Sequence, residues 1–114
     1  MISAIAFQAA WRSLPVMRFS WDRAKERLNV ARHGVDFTTA QQAFDDPKFI
    51  ILFDDAHSTP HELRWWLLGR VGSRILHVRY THRPGGVIRL IGAGYWRNSR
   101  AYYEIYWKEQ EAQD

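Results

Sequence analysis

The strongest constraint on the fold is a series of apolar segments in the second half of the chain, joined by very short connections. Four segments alternate or run continuously in apolar residues as β-strands do: residues 49–53, 63–70, 74–81 and 87–93. The last three are separated only by stretches rich in Gly, Ser and Pro. Because parallel strands need a crossover of a dozen or more residues, these connections predict a four-stranded antiparallel sheet.

Helical patterns lie on both sides of these strands. Between Asp22, a suitable N-cap, and Gly34, a suitable helix end, apolar residues recur every three or four positions, which predicts an amphipathic helix. Thr38 and Gln41 resemble a capping box for a second helix that continues to about Phe44. The first half of the chain is therefore predicted to be helical.

The order of these elements predicts the fold class. After the strands, Ser99 is suited to cap a last helix. Two N-terminal helices, a four-stranded antiparallel sheet and a C-terminal helix form an α+β domain, with the helices expected on one face of the sheet. We assign residues 17–114 to this single domain. Residues 2–10 are apolar without a basic segment before them, so we interpret residues 1–16 as an N-terminal extension outside the fold rather than a secretory signal.

Composition narrows the classes of function. The 114 residues include no cysteine, which excludes disulfides and thiolate metal sites and fits a reducing cytoplasm. No apolar run approaches the roughly 20 residues that span a bilayer, so no membrane association is expected. The 16 Lys and Arg residues give a net charge of +4, and most of them are arginine, whose planar fork suits phosphate. A nucleic-acid partner and a merely basic protein are both compatible with this charge.

Alternation along the strands predicts one basic sheet face. Side chains of a strand point alternately to its two faces, so the apolar sets turn to the core and the remaining side chains share the opposite face. That face is predicted to carry Arg64, Trp66, His77, Arg79 and Arg89. A solvated sheet face is often polar, but it usually mixes charges of both signs. Here the acidic residues stand at strand ends, which favours a surface for an anionic partner.

These residue types suit RNA cleavage by an internal 2′-hydroxyl group. That reaction needs a proton acceptor and positive charge beside the scissile phosphate. The candidates for charge stabilisation are Arg64, Arg83, Arg89 and Arg97. Glu62 or a histidine is the candidate for proton transfer, and His77 lies on the predicted basic face, although a single histidine in a strand is often structural. For RNA binding we single out Arg79, His77, Tyr95 and Arg97.

Two neighbouring features leave alternatives open. Tyr95 and Trp96 follow a glycine bend, and each can either stack on a base or close the core. Asp54, Asp55, His57 and His61 contain ligand types for a divalent metal. Their spacing matches no recognisable ligand pattern, and Asp-Asp after a strand is common in turns. We therefore expect no metal and no cofactor, and keep a metal-dependent nuclease only as an alternative.

With these residues considered, the chain resembles the BrnT family, the toxin half of a bacterial type II toxin–antitoxin pair with a RelE-like fold. The resemblance runs from about Arg18 to Glu104. It rests on Phe19-Ser-Trp-Asp22, Arg32-His-Gly-Val-Asp-Phe37, Ala43-Phe-Asp-Asp-Pro47, Asp55-Ala-His57, Glu62-Leu-Arg64, Tyr80-Thr-His-Arg83 and Arg89-Leu-Ile91. It implies a metal-independent ribonuclease that inhibits translation and is neutralised by a BrnA-type antitoxin, which also binds DNA.

The resemblance also implies roles for individual residues. It assigns functional roles to Arg64, Arg83 and Arg89, and a weaker one to Glu62. Many members carry an arginine where this chain has Gly94, and Arg97 is our candidate to replace that charge. Because of this departure, a non-catalytic nucleic-acid-binding module, or a degenerate toxin that acts through its antitoxin complex, remains the alternative function. In either case DNA is expected to be contacted only through the antitoxin.

Overall fold

The structure is a computed structural model that describes residues 17–113, so the predicted extension 1–16 lies outside the described residues. The elements, in chain order, are β1 (Arg18–Trp21), α1 (Arg23–His33), α2 (Phe37–Gln42), β2 (Ile50–Phe53), β3 (Arg64–Val71), β4 (Arg74–Arg83), β5 (Val87–Gly94) and α3 (Arg97–Ala112). Short 3-10 turns occupy Ala43–Asp45 and Asp55–His57. The four strands predicted from the sequence are present, with bounds that differ by no more than two residues.

The sheet has five strands in the order β1-β5-β4-β3-β2. Strands β2 to β5 form the predicted antiparallel meander, whereas β1 pairs parallel with β5. The prediction of two N-terminal helices and a four-stranded antiparallel sheet is therefore wrong. A strand precedes the helices and makes the sheet mixed, although the class α+β still describes the chain. The cause is long-range: β1 has only four residues, and its partners lie about 70 positions away.

Helix α1 begins and ends as predicted. The Asp22 side chain accepts a hydrogen bond from the backbone N–H of Lys25 at 3.0 Å. Gly34 ends the helix with a φ of 69°, a conformation that glycine adopts without steric cost, and donates its N–H to the carbonyl of Val30.

The starts of the other two helices differ from the prediction. Asp36, not Thr38, is the N-cap of α2, because its carboxylate accepts from the N–H of Thr39 at 2.6 Å. Helix α3 begins at Arg97, so Ser99 lies within its first turn. The Ser99 hydroxyl is buried against β4 instead of capping the helix.

The helices pack on both faces of the sheet, not on one face as predicted. On the first face, α2 and the 3-10 turn after it contribute to the main core, which contains Val35, Phe37, Ala40, Ala43, Phe44, Phe49, Leu67, Leu76, Val78, Tyr80, Ile88, Leu90 and Ala93. On the opposite face, α3 packs Tyr103 and Trp107 against Ile50, Leu68 and Ile75. Alternation along the strands leaves enough apolar side chains on this second face to bind α3 there.

Helix α3 is also fastened by polar contacts. The Tyr103 hydroxyl donates to the buried Asp46 carboxylate at 2.7 Å, and the Trp107 indole donates to the carbonyl of Lys48 at 2.8 Å. Both contacts lie toward one end of the second face, so the rest of that face remains open. Within residues 17–113, no helix is long and apolar enough to cross a membrane.

Candidate nucleic-acid interface

The open part of the second sheet face forms a groove of about 660 Å³. Its floor includes Arg64, Trp66, His77 and Arg79 from β3 and β4, together with residues 91–93 of β5. Helix α1 forms one wall and the start of α3 forms the other, and the walls contribute Lys25, Arg32, His33 and Trp96. We call this feature the sheet groove. Among the described residues, none that lines it is acidic.

Strand register explains why these residues meet. Trp66 of β3 lies opposite Arg79 of β4, and Arg64 lies opposite Thr81, which in turn lies opposite Arg89 of β5. The Arg79 guanidinium carbon lies 4.5 Å from the Trp66 ring centroid, a cation–π distance. The predicted grouping of basic and aromatic side chains on one sheet face is therefore confirmed.

Glu62 links two of the predicted catalytic arginines next to this groove. Its carboxylate accepts from Arg64 Nε at 2.8 Å and from Arg83 Nη1 at 3.2 Å. These contacts, above all the hydrogen bond from Arg64, hold the pKa of Glu62 below its usual value. Glu62 is therefore ionised at neutral pH and lies between two positive charges.

The fourth predicted catalytic residue, Arg89, stands apart from this cluster. Arg64 of β3 and Arg89 of β5 both lie opposite Thr81 of β4, so Arg89 is two strands away from Arg64. Arg89 donates to the Ser20 hydroxyl of β1 at 3.4 Å. The structure thus brings Glu62, Arg64 and Arg83 into direct contact and places Arg89 farther along the same sheet face.

A buried carboxylate holds Arg79 in the groove. Asp54 is 4% exposed, and its oxygens lie 2.9 and 3.0 Å from Nδ1 of His57. Arg79 Nε lies 3.4 Å from Asp54, which is an ion-pair distance, yet this N–H is too poorly aligned to form a hydrogen bond with any described residue. Burial lowers the pKa of Arg79, while the Asp54 charge opposes that change. Across residues 17–113 there is no cluster of three or more His, Asp or Glu side chains that could hold a metal ion.

His77 lies at the inner end of the groove and is packed on several sides. Its ring centroid is 3.6 Å from that of Trp66, and its Nδ1 lies 2.8 Å from the Ser99 hydroxyl. Its Nε2 is buried and has no hydrogen-bond partner among residues 17–113. Burial, followed by the charge of Arg79, lowers the pKa of His77 to about 4. The imidazole is therefore neutral at neutral pH, and it can accept a proton but not donate one as an imidazolium.

Two predicted RNA-binding residues lie elsewhere. The Arg74 guanidinium stacks on the ring of Tyr95 at 3.7 Å, and Arg97 lines a separate, smaller pocket with these two residues. The groove is lined by Trp96 and not by Tyr95, although Trp96 also borders the smaller pocket.

Sequence reasoning missed the contribution of α1 to the groove. Lys25, Arg32 and His33 line it, and none of them was a predicted site residue. The available signal was the density of basic residues between Arg23 and His33. Arg32 and His33 lie in the last turn of α1, where cations stabilise a helix. Their presence was therefore explained by helix stability alone, without a role in the groove.

Comparison with known proteins identifies the family. The crystal structure of the Brucella abortus ribonuclease toxin BrnT matches with a TM-score of 0.57 and 20% sequence identity, over 71% of this chain and 97% of that chain, and so has the same fold. No curated protein matches the chain. The family model described as ribonuclease toxin, BrnT, of type II toxin–antitoxin system matches residues 21–99, which is more than half of the chain and confirms the predicted resemblance. This protein therefore belongs to the BrnT family of ribonuclease toxins, whose members act in type II toxin–antitoxin systems with an antitoxin partner.

Proposed function

We propose that this chain is a metal-independent endoribonuclease that cleaves RNA in the cytoplasm and thereby inhibits translation. The observation that carries the proposal is the sheet groove, where cations and aromatic rings lie together without an acidic lining residue. Cations bind phosphate oxygens and aromatic faces stack on unpaired bases, so this combination suits single-stranded RNA. The groove reaches Arg64, which joins it to the cluster around Glu62.

The Glu62 cluster is our candidate for the reacting centre. A phosphate bound by Arg64 and Arg83 lies beside the ionised Glu62, which can accept the proton of the adjacent 2′-hydroxyl. The 2′-oxygen then bonds to phosphorus, the bond to the 5′-oxygen breaks, and that oxygen takes up a proton from solvent. The arginines, with Arg89 farther along the face, stabilise the charge that develops on the phosphate oxygens.

The antitoxin partner belongs to the same proposal. Membership of the family implies an antitoxin, and we propose that it is of the BrnA type. DNA is then bound by the antitoxin, and the toxin contacts it only indirectly. A basic groove is complementary to an acidic antitoxin segment, so inhibition and substrate binding can use the same residues.

Cleavage by the purified full-length chain tests the proposal. We expect the wild type to cut a labelled RNA equally well with and without EDTA. Arg64→Ala removes one charge from the reacting centre and is expected to lower the cleavage rate by roughly 100- to 1000-fold. Arg27→Ala is the matched control, because Arg27 is exposed on α1 and does not line the groove. Melting temperatures of both variants show whether they remain folded.

Two other results would contradict the proposal. RNA binding without any cleavage would favour the alternative, a non-catalytic module that acts through its antitoxin complex. Cleavage that EDTA abolishes would indicate a metal-dependent nuclease.

A further inference from the structure

Trp96 is an aromatic side chain that is both well packed and accessible. Its ring makes edge contacts with His77 at 4.9 Å and with His33 at 5.2 Å between centroids. It nevertheless remains 38% exposed and lines the sheet groove. The indole is therefore held in one orientation with part of its surface open to solvent in the groove.

Gly94 lies against the Trp96 indole and leaves space for it. A Cβ atom on Gly94 would lie 2.5 Å from the Trp96 ring, a separation that real Cβ atoms essentially never show. Any other residue at position 94 would therefore displace the indole. Gly94 thus makes room for an aromatic surface in the groove.

Positive charges line the same groove as this exposed aromatic surface. Arg32 comes from α1, and Arg79 comes from the groove floor. Trp66 is less available for stacking, because Arg79 lies over its ring and His77 packs against it. A ligand that matches Trp96 therefore needs a flat unsaturated ring and a neighbouring anionic group, which is the chemistry of a nucleotide.

We infer that Trp96 forms the stacking surface of a subsite for one unpaired nucleobase, and that the chain selects single-stranded over double-stranded RNA. This inference rests on the proposed function only in taking RNA as the ligand. A volume of about 660 Å³ lies within the range of sites that hold small ligands. In a duplex, the bases are stacked on one another and present no free face to the indole.

Binding measurements with a non-cleavable RNA test the subsite independently of catalysis. An oligonucleotide with 2′-O-methyl groups lacks the attacking hydroxyl, and a set of such oligonucleotides carries an abasic residue at each position in turn. For the wild type, one abasic position is expected to weaken binding by roughly 5- to 150-fold, which corresponds to one lost stacking contact. Trp96→Ala is expected to weaken binding of the intact oligonucleotide by the same factor and to be insensitive to that abasic position.

Matched variants separate stacking from other effects. Trp96→Phe keeps an aromatic face and is expected to retain most of the affinity. Tyr102→Ala removes an aromatic ring that is 46% exposed on α3 outside the groove, and it is expected to bind as the wild type does. Annealing the complementary strand is expected to abolish binding.

Three outcomes would overturn the inference. The first is that Trp96→Ala binds the intact oligonucleotide as tightly as the wild type does. The second is that Trp96→Ala binds every abasic oligonucleotide more weakly than the wild type does, and by the same factor each time, which would mean that Trp96 acts through the fold. Equal affinity for the duplex would exclude a subsite for an unpaired base. Failure of the wild type to bind any RNA would instead overturn the proposed function itself, and the subsite with it.

Discussion

At the scale of single residues, the protonation state of His77 connects packing with chemistry. Its ring is enclosed by Trp66 and Trp96, and the charged groups that face it are Arg79 and, more weakly, Asp54. Burial is the largest cause of the lowered pKa of about 4, and the Arg79 charge acts in the same direction. His77 therefore contributes a neutral imidazole to the groove at any pH near 7.

Because His77 is neutral in the folded protein, we expect the free energy of unfolding to fall in acid. The folded pKa of about 4 lies below the unfolded value of 6.5, so the unfolded chain binds the proton more readily. The stability associated with neutral His77 is fully present above about pH 6.5 and is lost as the pH falls through 4. We expect the free energy of unfolding of the wild type to fall more over this range than that of His77→Gln, as measured by urea denaturation.

An NMR titration provides the direct measurement. The ring signal that disappears in His77→Gln is expected to titrate near pH 4 in the wild type. A ring pKa of 6 or above, or parallel stability curves for the two proteins, would contradict the prediction.

At the scale of elements, Asn29 is the one buried residue of α1 and attaches this helix to the sheet, while Glu26 accepts from the Trp21 indole of β1. The Asn29 amide donates to the carbonyls of Val35 at 2.8 Å and Ala93 at 2.9 Å, and its oxygen accepts from the N–H of Ala93 at 3.1 Å. These bonds join α1 to the end of β5 and to the connection between α1 and α2. Because α1 forms a wall of the groove, Asn29 fixes the position of that wall.

Asn29→Ala is therefore expected to loosen α1 and to weaken RNA binding without removing a groove charge. Leaving the polar groups of Ala93 and Val35 unpaired is expected to cost about 2–3 kcal/mol of stability, measured by urea denaturation. Hydrogen exchange is expected to accelerate first along α1. Gln42→Ala, which removes an exposed amide at the end of α2 outside the groove, is the control and should change stability by less than about 0.5 kcal/mol. Equal losses in the two variants would contradict this role.

The same elements show which parts of the fold were predictable from the sequence. The meander and the limits of α1 were predictable, because alternation, turn residues and caps are local signals. Strand β1 was not, because Trp21 also fits the helical spacing of the segment after it, and only pairing with β5 makes it a strand. The position of α3 on the second sheet face was not predictable either. Tyr103 and Trp107 pack there against side chains from three strands, and no local sequence pattern indicates such contacts.

The candidate site also has parts that were predictable from local sequence rules and parts that were not. Arg64, His77 and Arg79 were placed on one face correctly, because strand alternation is a local rule. The contribution of α1 was missed, since it depends on how a helix is oriented over the sheet. For Tyr95 and Trp96, alternation predicted that the two rings point apart but not which of them enters the groove.

At the scale of the whole molecule, a net charge of +4 favours association with an anionic strand. The described cations that line the groove are Lys25, Arg32, Arg64 and Arg79. Each phosphate that a cation neutralises releases counterions, so the number of contacts determines how steeply binding weakens with added salt. Single-stranded nucleic acids give a slope of about −0.7 in log K against log salt for each phosphate.

Four such contacts predict a slope of about −3 for the binding of a non-cleavable single-stranded RNA. Arg32→Ala is expected to make this slope shallower by about 0.7, because it removes one groove cation. Arg27→Ala removes the same charge from the exposed side of α1, and it is expected to leave the slope unchanged. Fluorescence anisotropy at salt concentrations between roughly 50 and 200 mM measures the binding constant, and hence the slope, for the wild type and the two variants. If both variants changed the slope equally, RNA would respond to net charge alone, and the groove would not be its binding site.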